Sequence, residues 1–300
     1  MQIFKFMRTD VTRNLRVFGV ACGIGAGRGY SHLGPERIHR YLGALASDSP
    51  IQWGDCLYPR PSLGDDIAVL SELNRRAAAL VAAELQARRF VTVVGGDHSC
   101  AIGTWGGVSQ ALGGPGAFGL IWIDAHMDSH RPATTPSGNV HGMPVACLLG
   151  AGDPRLLAVG GGGAKIDPRH LVLIGVRSYE PQEAAFLAHL GVTVFTMSDV
   201  RRLGLAAVMA QARARCNDAR EGFGVSIDLD ALDPRDAPGV GSPVAGGIRA
   251  QELVGALAQL AADPRLLALE IAELDPVLDV DGRTVELAVN CIEAVTEQKE

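Results

Sequence analysis

The sequence is short of charge: Asp, Glu, Lys and Arg supply 20% of its 300 residues and leave a net charge of only −6. That balance excludes the basic footprint of a nucleic-acid binder, and it is too mild for an acidic solvating tail. Cysteine is sparse as well. The six cysteines lie far apart with no C-x-x-C pair, which argues against a disulfide scaffold or a zinc ribbon and for buried thiols in a reducing compartment. No apolar run reaches the roughly 18 residues of a membrane span. The opening MQIFKFMRTDVTRN has no apolar stretch leading to a small-residue cleavage site, so a cytoplasmic protein is expected. A phosphate loop is missing too: in the run Gly160–Gly163, Ala164 precedes Lys165 and Ile166 follows it, which breaks the Walker spacing. This glycine run is the best candidate for a mobile loop.

What the chain does have is apolar material, 47% of its residues, enough for a sizeable core. No repeat and no long linker divides it, so a single domain spanning 1–300 is expected. Short β-rich runs alternate with Ala/Leu-rich helical stretches. RVFGVA (16–21), FVTVVGG (90–96), AFGLIWIDAH (117–126), LVLIGVR (171–177), VTVFTM (192–197), GFGVSIDLDAL (222–232) and LLALEIAEL (266–274) read as strands. LSELNRRAAALVAAELQARR (70–89), PQEAAFLAHLG (181–191) and LAAVMAQARARC (205–216) read as helices. Near-continuous apolar strands alternating with helices predict an α/β fold with a parallel sheet covered on both faces. Ligands of such sheets bind outside the carboxyl ends of the strands.

Polar clusters stand at those ends: GGDHS (95–99), DAHMD (124–128) and SIDLDALDP (226–234). In an extended segment, residues two apart share a face, so Asp124, His126 and Asp128 are expected to converge, and likewise Asp228 and Asp230. Carboxylates brought that close repel unless positive charge lies between them. With His98, the set is four aspartates and two histidines without a thiolate, which suits Mn²⁺ or a similar divalent ion. It is too many ligands for one tetrahedral metal and about right for two ions roughly 3.5–4 Å apart, which can hold a hydroxide between them. Asp97 and Asp233 read instead as turn-stabilising residues.

These motifs resemble the three signatures of the arginase/agmatinase (ureohydrolase) family. The likeness extends to GRGYSHLGPERI (27–38), VGSPVAGGI (240–248) and IAELDPVLDVDGRTVELA (271–288), and so covers roughly residues 15–295. The resemblance implies a three-layer α/β/α fold with a central parallel sheet, two Mn²⁺ per subunit, and a homotrimer or homohexamer. One ion would take His98, Asp124, Asp128 and Asp228, the other Asp124, His126, Asp228 and Asp230, with Asp124 and Asp228 bridging. Asp128 would orient the hydroxide, His141 would shuttle protons, and Glu273 would hold the guanidinium of a small guanidino substrate.

Ser137 and Asn139 match positions that bind the α-carboxylate in arginases, which makes L-arginine hydrolysis to L-ornithine and urea the implied reaction. His130, Glu180 and Glu183 fall at other substrate-loop positions. His130 stands where arginases usually carry asparagine, and Glu180 where they usually carry aspartate. Those departures keep open another guanidino hydrolase (guanidinobutyrase, guanidinopropionase or agmatinase). A silent scaffold of the same fold would be marked by a substituted ligand, and none is substituted.

Overall fold

The computed structural model describes residues 15–27, 29–45, 51–60 and 64–296. The N-terminal stretch read for an export signal, residues 1–14, lies outside the described residues, as does Arg28 of the early motif.

Among the described residues, eight strands form one sheet: β1 (Leu15–Val20), β2 (Ile51–Leu57), β3 (Phe90–Gly95), β4 (Phe118–Ile123), β5 (Leu171–Val176), β6 (Thr193–Thr196), β7 (Gly222–Asp228) and β8 (Leu266–Ala272). Their order is β2-β1-β3-β8-β7-β4-β5-β6, and each neighbouring pair is parallel. Every residue of β3, β4, β5, β7 and β8 is buried, as expected for strands covered on both faces. The edge strands β2 and β6 are only partly buried. IQWGDCL carries Gly and Asp within a short run, and its strand is absent from the sequence expectations for that reason.

Helices α1 (Gly34–Leu45), α7 (Met197–Leu203), α8 (Leu205–Cys216), α9 (Ala250–Ala258) and α10 (Arg283–Ala294) share one core with one face of the sheet. On the other face lie α2 (Asp66–Gln86), α3 (Ala101–Leu112), α4 (Pro144–Leu148), α5 (Pro154–Leu157) and α6 (Pro181–Leu190). The strands divide between the cores with period two: Ile121 and Ile123 point to one, Leu120 and Trp122 to the other. The expected three-layer architecture is what forms. Helix α2 begins earlier than the hydrophobic pattern suggests, because Asp65 caps it by accepting the Ala68 N–H at 2.8 Å.

The glycine run is not the free loop its composition suggests. Lys165 is buried there, and its ammonium donates to the carbonyls of Leu157 at 2.8 Å, Gly163 at 2.9 Å and Gly161. Gly160 presses on the backbone of Gly106 in α3, where no Cβ fits. The cysteines are all free thiols, five buried and Cys56 half-buried. Among the described residues, no helix is long and apolar enough to cross a membrane.

Candidate metal centre

The four central strands β3, β8, β7 and β4 deliver the polar clusters side by side at their carboxyl ends. His98 follows β3, Asp124–Asp128 follow β4, Asp228 ends β7 and Glu273 follows β8. Residues far apart in sequence meet there because their strands are neighbours.

The convergence is real, but extended alternation is not its cause. Strand β4 stops at Ile123, and the chain turns at once: Asp124 Oδ1 accepts the His126 N–H at 2.7 Å. Asp128 has φ +47°, a left-handed conformation unusual for a non-glycine residue and one that aims its side chain back into the site. After β7 the chain turns the same way, Asp228 Oδ1 accepting the Asp230 N–H at 2.8 Å. Short Asx turns thus replace the predicted extension.

The ligand-type atoms form two groups sharing Asp124. In the first, His98 Nδ1 lies 3.5 Å from Asp124, 3.3 Å from Asp128 and 3.2 Å from Asp228. In the second, His126 Nδ1 lies 3.5 Å from Asp124 and 3.0 Å from Asp230. All four aspartates and His98 are buried. His98 is stacked on Trp122 at 4.1 Å, and the Trp122 indole donates to Asp124 Oδ2 at 2.8 Å.

Burial penalises every charge here, so the titration behaviour reports how strongly the groups face one another. Burial alone would lower the His98 pKa, yet the carboxylates of Asp124, Asp128 and Asp228 raise it well above its ordinary value. His126 is pushed up to about 12 against the same penalty, by Asp124 and Asp230. Asp128 is pushed up to about 7 by burial and by the charge of Asp124. Burial and like charge also raise Asp228 and Asp230. Two buried atoms pointing into the cluster, His98 Nδ1 and Asp128 Oδ2, have no hydrogen-bond partner. Buried polar atoms left so are costly in a folded protein unless an ion takes them. The donor set, hard oxygens with imidazole, fits a divalent cation.

Over the cluster opens a cleft of about 170 Å³ lined by His126, Asp128, His141, Asp228 and Asp230. His130, Ser137, Asn139, Glu180 and Glu183 also face it, so each predicted substrate-loop residue reaches this cleft. His98 and Asp124 lie beneath, out of its lining. Glu273 instead lines an adjoining hollow of about 210 Å³, with His141, Asn139 and Ser242. Its Oε1 faces His141 Nδ1 at 3.0 Å and accepts the His98 N–H at 2.8 Å, and its φ is +71°. Against burial, Glu273 raises His141 to about 9, while His141 holds Glu273 below its ordinary value. His130 Nε2 lies 2.9 Å from Glu180 and 3.5 Å from Glu183. Glu183 is buried and accepts the N–H groups of Ser129 and Glu180 at 3.0 Å each, so it braces the loop to the start of α6.

An arginase-family model matches residues 13–296. The chain belongs to the arginase family. Among curated arginases, that of Bacillus caldovelox is 38% identical over 92% of this chain and 95% of its own length. The arginase of Brevibacillus brevis is 37% identical over 95% of this chain and 98% of its own. The native structure of the Bacillus caldovelox arginase superposes with a TM-score of 0.87, covering 96% of this chain and 99% of the other at 36% identity. This arginase-family chain is a ureohydrolase enzyme, and its His/Asp cluster is able to hold metal.

Several residues around the site are not among the candidate site residues drawn from the sequence. Arg177 donates to the carbonyls of Asp230 and Val244 at 2.8 Å, and to those of Ala231 and Leu232, clamping the turn that bears Asp230. Ser242 lines both hollows. Glu270 is fully buried in mid-strand. Its signal was a carboxylate interrupting the apolar run LLALEIA, which no buried strand carries without partners. Asp97 and Asp233 are the turn residues expected, accepting the N–H groups of Ser99 and Arg235.

Proposed function

We propose that the chain hydrolyses L-arginine to L-ornithine and urea, acting as one catalytic domain per subunit with two Mn²⁺ bound. The observation that carries this reading is the pair of ligand groups sharing Asp124 beneath an open cleft. Asp124, Asp128, Asp228 and Asp230 carry a formal charge of −4, which two dications balance. One ion is assigned to His98, Asp124, Asp128 and Asp228, the other to Asp124, His126, Asp228 and Asp230. When bound, such a pair supplies a potent nucleophile from water at neutral pH and stabilises charge that develops in the transition state.

The protein groups divide the remaining work. Asp128 orients the attacking water and accepts its proton, a role supported by its Oδ2, which has no hydrogen-bond partner within the protein. Glu273 holds the guanidinium, whose fork of donors suits a fixed carboxylate. Water adds to the guanidinium carbon, the bond to the side-chain nitrogen breaks, and His141 delivers a proton to the leaving amine. Ser137 and Asn139 hold the α-carboxylate at the rim, with His130, Glu180 and Glu183 completing the substrate loops. A cytoplasmic homotrimer or homohexamer goes with this proposal.

A second reading has one observation in its favour. Glu180 is bonded to His130, which competes with a substrate α-amino group for that carboxylate. A guanidino acid without an α-amino group, such as 4-guanidinobutyrate, would leave the pair intact. The test is urea release by Mn²⁺-loaded protein on L-arginine, agmatine, 4-guanidinobutyrate and 3-guanidinopropionate in parallel. Highest kcat/KM on L-arginine is expected. Preference for a guanidino acid would make the His130–Glu180 pair the selector, and no urea from any of them would overturn the hydrolase reading.

A further inference from the structure

Glu270 lies in mid-β8, fully buried, where an unpartnered carboxylate could not stay. Four donors surround it. Thr104 Oγ1 donates to Oε1 at 2.6 Å and the Cys100 thiol approaches the same oxygen at 3.4 Å. Trp105 Nε1 donates to Oε2 at 2.9 Å, and Ser226 Oγ donates to Oε2 at 2.7 Å. An indole N–H can only donate, so it marks Oε2 as an acceptor.

Ser226 has one hydroxyl hydrogen, and that hydrogen goes to Glu270. Its oxygen also lies 3.0 Å from His98 Nε2. With the serine hydrogen already committed, Nε2 must be the donor in that contact. His98 thus always carries a proton on Nε2, and the proton it gives up to a cation is the one on Nδ1, leaving the lone pair there. Nδ1 is the atom facing Asp124, Asp128 and Asp228, and it has no hydrogen-bond partner. Stacking on Trp122 fixes the plane of the ring.

We propose that Glu270 and Ser226 are positioning residues, a hydrogen-bond relay that keeps the His98 proton on Nε2 and presents the Nδ1 lone pair to a divalent ion. The inference rests on the metal reading of the cluster and extends it into the sheet. A histidine ligand whose other nitrogen is so held binds metal better, and loss of the outer partner typically lowers affinity about 10- to 100-fold.

The test is a Mn²⁺ titration of the chelator-stripped full chain followed by electron paramagnetic resonance, with a thermal melt of each stripped protein alongside. Ser226→Ala removes the relay and leaves Glu270 its other donors; it is expected to weaken one of the two sites about 10- to 100-fold. Glu270→Gln is the conservative rescue. Trp105 forces the amide oxygen to the Oε2 position, so the serine keeps its direction and the affinity stays within about threefold. Thr104→Val removes a donor outside the relay; it lowers the melting temperature yet leaves both affinities within about threefold. Unchanged binding by Ser226→Ala, or an equal loss in Thr104→Val, overturns the relay while the metal reading stands. If the unmutated chain binds no Mn²⁺, both fall.

Discussion

Two sets of aspartates in this protein make the same local turn and do opposite things with it. The tripeptide Asp-Pro-Arg occurs at 153–155, 167–169, 233–235 and 263–265. In each, one carboxylate oxygen accepts the N–H of the arginine two residues on, at 2.8, 2.9, 3.1 and 2.9 Å. Asp124 and Asp228 accept the N–H two residues on in the same way. The difference is the other oxygen. In Asp153, Asp167 and Asp233 it turns to the arginine of the same tripeptide, and in Asp263 to Arg213. Asp228 instead turns it towards His98 and a cluster of like charges. A carboxylate whose second oxygen meets an arginine is a turn; one that spends half its capacity locally and turns the rest on other acids is a candidate ligand.

Exchanging these residues one at a time should separate the sets. Asp124→Asn should have the largest effect: about 10³-fold or more in kcat/KM for urea release, because the shared ligand of both groups is lost. A loss under tenfold would place Asp124 with the turn residues. Next, removal of metal by a chelator should lower the melting temperature of the unmutated chain and re-addition of Mn²⁺ restore it, since an ion at about 100 times its Kd contributes about 2.7 kcal/mol. An unchanged melt would mean that the acid cluster holds no ion.

Asp97→Asn should fall between the sets. Its carboxylate accepts from Gly25 at 2.8 Å and from Ser99, bracing the loop whose Gly25 carbonyl receives the His141 N–H. About 1–3 kcal/mol of stability should go, read from a denaturant midpoint, with Mn²⁺ affinity nearly intact. The smallest effect belongs to Asp167→Asn, at most about 1 kcal/mol, with urea release unchanged. The Arg169 guanidinium holds Asp167 at about 2, below its ordinary 3.8. A depressed carboxylate stabilises the fold above its unfolded pKa and loses that contribution as pH falls through the folded one. The gap between variant and parent, measured on stripped protein, should therefore close between about pH 4 and pH 2.

Much of this could be read directly from the chain. The buried parallel strands announce themselves as apolar runs, and helix α8 lies where its pattern puts it, Leu205–Cys216. The misreadings share one cause, which is that a local pattern does not know its partners. DAHMD alternates as a strand would, yet Asp124 turns on His126. The run Gly160–Gly163 has the composition of a flexible loop, yet a lysine beyond it binds its carbonyls. Strand β2 gains its place by pairing with β1 and not from its own hydrophobicity.

By itself, then, the sequence determined the apolar strands, the helices between them and the polar residues at the strand ends, because periodicity and turn chemistry act over a few residues. Tertiary structure alone decided which of those ends meet. The order β3-β8-β7-β4 sets Asp124 and Asp228 within 3.5 Å of His98, the latter across more than a hundred residues of chain. It also decided which acids find donors inside the protein, as Glu270 does, and which are left facing each other. Hydrogen bonds and Coulomb forces depend on distance in space, and that distance exists only once the sheet has assembled.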